Sequence, residues 1–136
     1  MTLTDQAAAL DVRYPARPSQ VALIRQAVGD IASEFGASDE VLLQINLAVS
    51  EAATNAILHA YRDRAADEAG DVRVIVRPSF DGLFAVHVQD DGIGLIPRTD
   101  SPGMGLGLCL MAHETECFEV RKPPAGGTEV VLRFRL

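Results

Sequence analysis

Apolar residues recur at helical spacing in two long segments of the chain. Ser19 is predicted to cap the first helix, and Gly36 to end it in the left-handed conformation. Its apolar stripe comprises Val21, Ile24, Ala27, Val28, Ile31, Ala32 and Phe35. The second helix is predicted to begin after Ser38 and to reach about Tyr61. Its wide apolar face comprises Val41, Ile45, Ala48, Val49, Ala52, Ala53, Ala56, Ile57 and Ala60.

Shorter segments alternate between apolar and polar residues, which is typical of strands. The five predicted strands are "ALDVRYPA", ended by Pro15, "VRVIVRP", "LFAVHVQD", "CFEVRK" and "TEVVLRFRL". A turn at 80–82 joins the second strand to the third, and a third helix is predicted over about 106–115. The order β-α-α-β-β-loop-α-β-β predicts a two-layer α/β sandwich, with a mixed, mostly antiparallel sheet and its helices on one face.

Composition narrows the classes of function. The 136 residues suit a single domain, with residues 1–7 expected to form a flexible tail. The net charge of −7 argues against direct nucleic-acid binding, which needs a basic surface. No leader-like start and no uncharged apolar run of membrane-spanning length is present, which predicts a cytoplasmic protein without a membrane segment. Cys109 and Cys117 are interpreted as small buried residues rather than a disulfide or metal set.

A glycine-rich segment follows the third predicted strand. It lacks both a P-loop lysine and the third glycine of a dinucleotide-binding fingerprint. Asp90 at the strand end, before Gly92 and Gly94, can accept a hydrogen bond from an exocyclic amine such as that of adenine; a tight Asp-Gly turn is the alternative. The segment "GMGLGL", at 103–108, opens a helix and can present N–H groups to phosphates, unless it is only a hinge. Residues 95–102 would form a short lid.

The second helix carries candidate chemistry next to its apolar face. Glu51 and Asn55 lie one turn apart, so they share a side of the helix. On its own this side is interpreted as a solvated polar face. Beside a phosphate-binding loop, Asn55 can complete the oxygen shell of Mg²⁺, and Glu51 can take a proton from an attacking hydroxyl.

These segments, in this order, resemble the Bergerat-fold ATPases. "SEAATNAILHAY" is similar to their N-box, "DDGIG" and "GMGLGL" to their two glycine boxes, and "GGTEV" to the closing strand whose threonine lies beside the adenine-binding aspartate. Within that superfamily the chain is most similar to the small anti-sigma-factor serine kinases of bacterial partner-switching systems. The resemblance spans about residues 8–135.

The resemblance implies a role for each matching residue. Glu51 would be the general base, Asn55 a ligand of Mg²⁺, and Asp90 the acceptor of the adenine amine, supported by Thr128 through water. Arg98 in the lid would reach the γ-phosphate, and His59 would either anchor its helix or contact phosphate. The glycine boxes would contribute Gly92, Gly94, Gly103, Met104, Gly105, Leu106 and Gly107 to nucleotide binding.

The same resemblance implies ATP or ADP and Mg²⁺ as cofactors. It implies a STAS-type anti-anti-sigma protein as phosphorylation substrate, a sigma factor as sequestered partner, and a homodimer. A second hypothesis is a non-catalytic module that changes partners with nucleotide state, which a short lid favours. A third is an ATPase that acts by hydrolysis, which the acidic composition disfavours.

Overall fold

Within the residues that it describes, the computed structural model has two helices packed on one face of a five-stranded sheet. The structure describes residues 7–60, 70–79, 81–90, 115–124 and 126–136. The helices are α1 (Gln20–Glu34) and α2 (Asp39–Ala60), and the strands are β1 (Leu10–Pro15), β2 (Asp71–Pro78), β3 (Leu83–Asp90), β4 (Cys117–Arg121) and β5 (Thr128–Arg135). The predicted sandwich is confirmed. Of the third predicted helix, residues 106–114 lie outside the described residues.

The strands are ordered β1-β2-β3-β5-β4. All four pairings of these strands are antiparallel, so the described part of the sheet has no parallel component. The second and third predicted strands, β2 and β3, pair with each other, and so do β4 and β5. Strand β5 lies between β3 and β4. Because β5 pairs antiparallel with β3, the end of β3 is adjacent to the beginning of β5.

The junction between the helices follows the predicted chemistry. Gly36 has a φ of 91°, and the N–H of Ala37 donates to the carbonyl of Ala32 over 3.0 Å, which forms a Schellman-type end. Two residues later the hydroxyl of Ser38 accepts a hydrogen bond from the N–H of Val41 at 3.2 Å, so Ser38 caps α2 as predicted. This short junction brings α2 back along α1.

Three local predictions were wrong. Ser19 occupies the N-cap position of α1, but its backbone is already helical (φ −63°, ψ −17°) and its side chain makes no cap bond to the described residues. Phe35 is 52% exposed, because it is the C-cap residue and the chain leaves the helical path there. Cys117 is exposed rather than buried, since it begins the edge strand β4.

The core lies between the helices and the sheet. Alternate, even-numbered residues of the central strands face α1 and α2, as the period of two predicts. These buried strand residues are Val72, Val74, Val76, Phe84, Val86, Val88, Val130, Leu132 and Phe134. On the helix side, Ile24, Val28, Ile45 and Val49 are among those that pack against them.

Helix α2 is long and apolar enough to resemble a membrane-spanning helix. A window of its segment Asp39–Leu58 has a mean hydropathy of 1.4, which by length and composition alone would allow a membrane crossing. However, 44% of that window is buried inside the protein, at positions that contact the core. We therefore interpret the apolarity of α2 as that of a helix packed across a sheet.

Candidate functional site

Polar residues interrupt the apolar helix–sheet layer at one place. Asn55 on α2 and Thr128 at the beginning of β5 are only 5% and 1% exposed, and they are the buried polar residues of the described ranges. Thr128 lies directly opposite Asp90, the last residue of β3, in the antiparallel register. The sheet and α2 thus bring together three residues that are far apart in the sequence.

These three residues line one small pocket. Its walls are Ala52 and Ala56 from α2, and Val88 and Val130 from the strands. Asn55, Asp90 and Thr128 supply its polar groups. The two alanines flank Asn55 in the sequence, and their short side chains leave space between helix and sheet. An apolar cleft with a few convergent polar groups is the usual form of a small-molecule site.

The position of Thr128 depends on the turn that precedes it. Gly126 and Gly127 both have positive φ values, of 101° and 80°, which residues other than glycine rarely adopt. The chain therefore reverses tightly after β4 and enters β5 opposite the end of β3. "GGTEV" is the sequence signal for this geometry, and the register between Asp90 and Thr128 agrees with the neighbour relation that the resemblance implies.

Asn55 carries an unsatisfied group. Its Nδ2 atom is buried and has no hydrogen-bond partner among the described residues. Leaving a buried donor without a partner costs about 1–3 kcal/mol, so such groups are expected to serve a ligand. The amide also offers an oxygen of the kind that Mg²⁺ binds. With the carboxylate of Asp90 and the apolar walls, this orphaned amide fits a flat base with an exocyclic amine and its metal-bound phosphates.

Glu51 lies one turn before Asn55 on α2 but does not line the pocket. It is partly exposed, at the boundary between the pocket and the solvent side of the helix. A carboxylate at such a boundary can be reached by a group from a second protein.

The remaining predicted site residues lie outside the described residues, and their roles stay predictions. They are Gly92, Gly94, Arg98, Gly103, Met104, Gly105, Leu106 and Gly107, together with the side chain of His59. Sequence reasoning did assign Ala52 and Ala56 to the apolar face of α2, but it missed that they wall the pocket. Their positions three residues before and one residue after Asn55 are the signal that it could have used.

The open face of the sheet carries a separate polar cluster around Glu129. The Oε2 atom of Glu129 lies 3.4 Å from Nδ1 of His87 and accepts a hydrogen bond from Gln89, and Arg121 lies 3.6 Å from Oε1. Burial lowers the pKa of His87, and the neighbouring Glu129 opposes that shift. These groups satisfy one another, so the cluster has the character of a structural network.

Comparison with protein families gives a match over nearly the whole chain. The sequence profile of the histidine kinase-like ATPase domain matches residues 14–134. The serine-protein kinase RsbW of Bacillus licheniformis is 35% identical over 135 residues, which cover 89% of this chain and 81% of that protein. The anti-sigma F factor of Clostridium acetobutylicum is 26% identical, over 91% of each chain.

Two solved structures share the fold. The RsbU and RsbW domains of Rv1364c from Mycobacterium tuberculosis align with a TM-score of 0.72 and 23% identity, over 93% of this chain and 32% of that one. The SiaB-SiaC complex from Pseudomonas aeruginosa aligns with a TM-score of 0.66 and 18% identity, over 98% of this chain and 93% of that one. At these identities the structures support the architecture alone.

Proposed function

The chain belongs to the histidine kinase-like ATPase family, and we propose that within it the protein is an ATP-dependent protein-serine kinase and anti-sigma factor. It phosphorylates an anti-anti-sigma protein on serine and sequesters a sigma factor. The convergence of Asn55, Asp90 and Thr128 on one pocket is the observation that carries this proposal. The names of its relatives, a serine-protein kinase and an anti-sigma F factor, support the kinase activity and the class of partner.

The pocket residues divide the binding of the nucleotide between them. Asp90 accepts a hydrogen bond from the adenine amine, and Thr128 supports it from the neighbouring strand. Asn55 would offer its amide oxygen to Mg²⁺, a metal that takes oxygen ligands and would supply positive charge beside the phosphates. The amides over 103–107 and the side chain of Arg98 would hold the phosphates from the glycine-rich segment, with Gly92 and Gly94 near the base.

Bound ATP would supply the transferable phosphoryl group, and Glu51 provides the acid–base chemistry. Glu51 accepts the proton of the partner's serine hydroxyl while the serine oxygen forms its bond to the γ-phosphorus and the bond to the ADP oxygen breaks. Its position outside the pocket suits this role, because the hydroxyl arrives from another protein. A protein that only senses nucleotide needs no carboxylate there.

We also propose which proteins bind this chain. The substrate is a STAS-type anti-anti-sigma protein, and its unphosphorylated form competes with the sigma factor for this chain. We also expect residues 1–136 to form one domain, the protein to work as a homodimer, and both partners to be met in the cytoplasm.

The direct test mixes the protein with Mg·ATP and the anti-anti-sigma protein of the same genome, and measures phosphoserine on the latter. Glu51→Gln is expected to bind Mg·ATP with native affinity and to lower the transfer rate by about 10²–10⁴-fold, the usual contribution of general-base catalysis. Glu40→Gln is the matched control, because Glu40 lies in the first turn of the same helix.

Two outcomes would count against this assignment. Native transfer by Glu51→Gln would remove Glu51 as the base. Tight nucleotide binding by the native protein with no transfer to the partner would instead indicate a switch that responds to nucleotide without catalysis.

A further inference from the structure

The solvent side of α2 exposes three leucines, whereas most other large apolar residues in the described ranges lie in the core. Leu43, Leu47 and Leu58 are 60%, 40% and 48% exposed. At about 100° per residue their positions fall on one side of the helix, and Thr54 lies on the same side. Single exposed leucines are ordinary, but a row of three along one helix is a feature of interaction surfaces.

Glu51 borders this row. It follows Leu47 by one turn and precedes Leu58 by two turns. Around the helix axis, Glu51 comes between the leucines and Asn55, which lines the pocket. One helix therefore carries three neighbouring strips: the pocket wall, the partly exposed carboxylate, and an exposed apolar row. A protein surface that brings a hydroxyl to Glu51 from the solvent side of α2 would cover part of this row.

The charge of α2 limits what can cover the row. Asp39–Ala60 contains three carboxylates, Asp39, Glu40 and Glu51, and no lysine or arginine. An acidic surface would be repelled along this helix, whereas an apolar surface with a neutral or basic rim is complementary to it.

We infer that Leu43, Leu47 and Leu58 form the docking face for the serine-bearing surface of the protein substrate, an apolar surface with a neutral or basic rim. This inference rests on the proposed function, since it takes Glu51 as the base. The leucines are then recognition residues: they position the partner's serine beside Glu51 and take no part in nucleotide binding.

The test compares three charge-introducing variants. Leu47→Asp and Leu58→Asp alter the row, and Leu23→Asp is the matched control, because Leu23 is 56% exposed on the other helix, α1. With the anti-anti-sigma protein of the same genome as substrate, we expect each row variant to raise KM for that protein about tenfold or more, as loss of a central contact does in an interface. The affinity for Mg·ADP should stay native in both row variants, and the kcat at saturating substrate should stay native in Leu58→Asp, which lies two turns from Glu51. Leu23→Asp should stay native in every measurement.

A native KM in both row variants would overturn the docking face, as would an equal rise of KM in Leu23→Asp. Titration of the two proteins against each other in Mg·ATP separates this result from the function itself. If the native protein binds the partner but transfers no phosphate, the kinase proposal fails, and the docking face still requires weaker binding by Leu47→Asp. Native binding by that variant, or no binding by the native protein, would refute it.

Discussion

Even-numbered residues of β2, β3 and β5 face the helices, whereas most odd-numbered residues lie on the open face of the sheet. On the open face, polar side chains satisfy one another: Glu129 contacts His87 and Gln89, and Arg133 donates to Glu119 at 2.7 Å. On the helix side, the Nδ2 atom of Asn55 is buried without a partner among the described residues.

This difference shows which polar residues the fold itself accounts for. Groups on the open face have hydrogen-bonding or charged partners in the protein, although His87 and Glu129 are only 16% and 12% exposed. A buried amide without a partner costs free energy on folding, so one that lines a pocket is a candidate to bind a ligand. We therefore expect a ligand to complete the helix-side pocket, whereas the described groups of the open face already have protein partners.

The largest expected effect is on nucleotide binding, when Asp90 in the helix-side pocket is replaced. Asp90→Asn should weaken binding of Mg·ATP by about 1.5–3 kcal/mol, since it replaces the charged acceptor of the adenine amine by a neutral amide. Calorimetric titration measures this directly. Asp11→Asn is the matched control, because Asp11 is an exposed carboxylate of the same sheet and pairs with Arg73 at 2.7 Å. Equal loss in both variants, or native affinity in Asp90→Asn, would remove the pocket from nucleotide binding.

A smaller effect is expected on stability at Asn55. Asn55→Leu replaces the orphaned amide by an apolar group of similar shape, so the free energy of unfolding without nucleotide should stay the same or rise by about 1 kcal/mol. The stabilisation by Mg·ADP should be lost. Thermal unfolding with and without Mg·ADP measures both.

Ser50→Ala is the control for Asn55, because the hydroxyl of Ser50 is also buried on α2 without a partner in the described ranges, but it does not line the pocket. That variant should keep its response to Mg·ADP. A marked loss of stability in Asn55→Leu would mean that the amide already has a structural partner.

The smallest effect is expected on the pH dependence of the free energy of unfolding, through His87 on the open face. Because burial lowers the pKa of His87 below its ordinary 6.5, the unfolded chain takes up this proton more readily than the folded protein. The free energy of unfolding should therefore fall as the pH drops below about 6.5, toward the lowered pKa. Glu129 opposes this loss, whereas Arg77 and Arg121 reinforce it.

Denaturant unfolding between about pH 8 and pH 5 measures this dependence. In His87→Gln the slope should be shallower, while the affinity for Mg·ADP at pH 8 stays native. Parallel curves for the two proteins would show that His87 does not contribute.

Sequence patterns predicted the parts of the fold that depend on neighbouring residues. Ser38 and Gly36 act through bonds within a few residues of themselves, and the alternation of β2, β3 and β5 reports directly which side is buried. The failures have two causes. The exposure of Cys117 is tertiary, because it depends on β4 being an edge strand. The exposure of Phe35 and the missing cap bond of Ser19 are local, since they depend on the backbone conformation at the two ends of α1.

The residues of the pocket could be predicted from the sequence, but their surroundings could not. Residue chemistry and resemblance singled out Asn55, Asp90 and Thr128, and the structure brings them to one pocket. No local pattern shows that the amide of Asn55 lacks a partner, because that depends on what α2 and the sheet place around it. The exposed leucines beside Glu51 could not be recognised for the same reason, since a helical period alone does not separate an exposed apolar residue from a buried one.

A crystal structure of the protein grown with Mg·ADP would show whether the pocket holds the nucleotide. We predict adenine in the pocket between α2 and the sheet, with its exocyclic amine hydrogen-bonded to the carboxylate of Asp90 and the metal bound to the amide oxygen of Asn55. Nucleotide bound elsewhere on the protein, with this pocket unfilled, would contradict it.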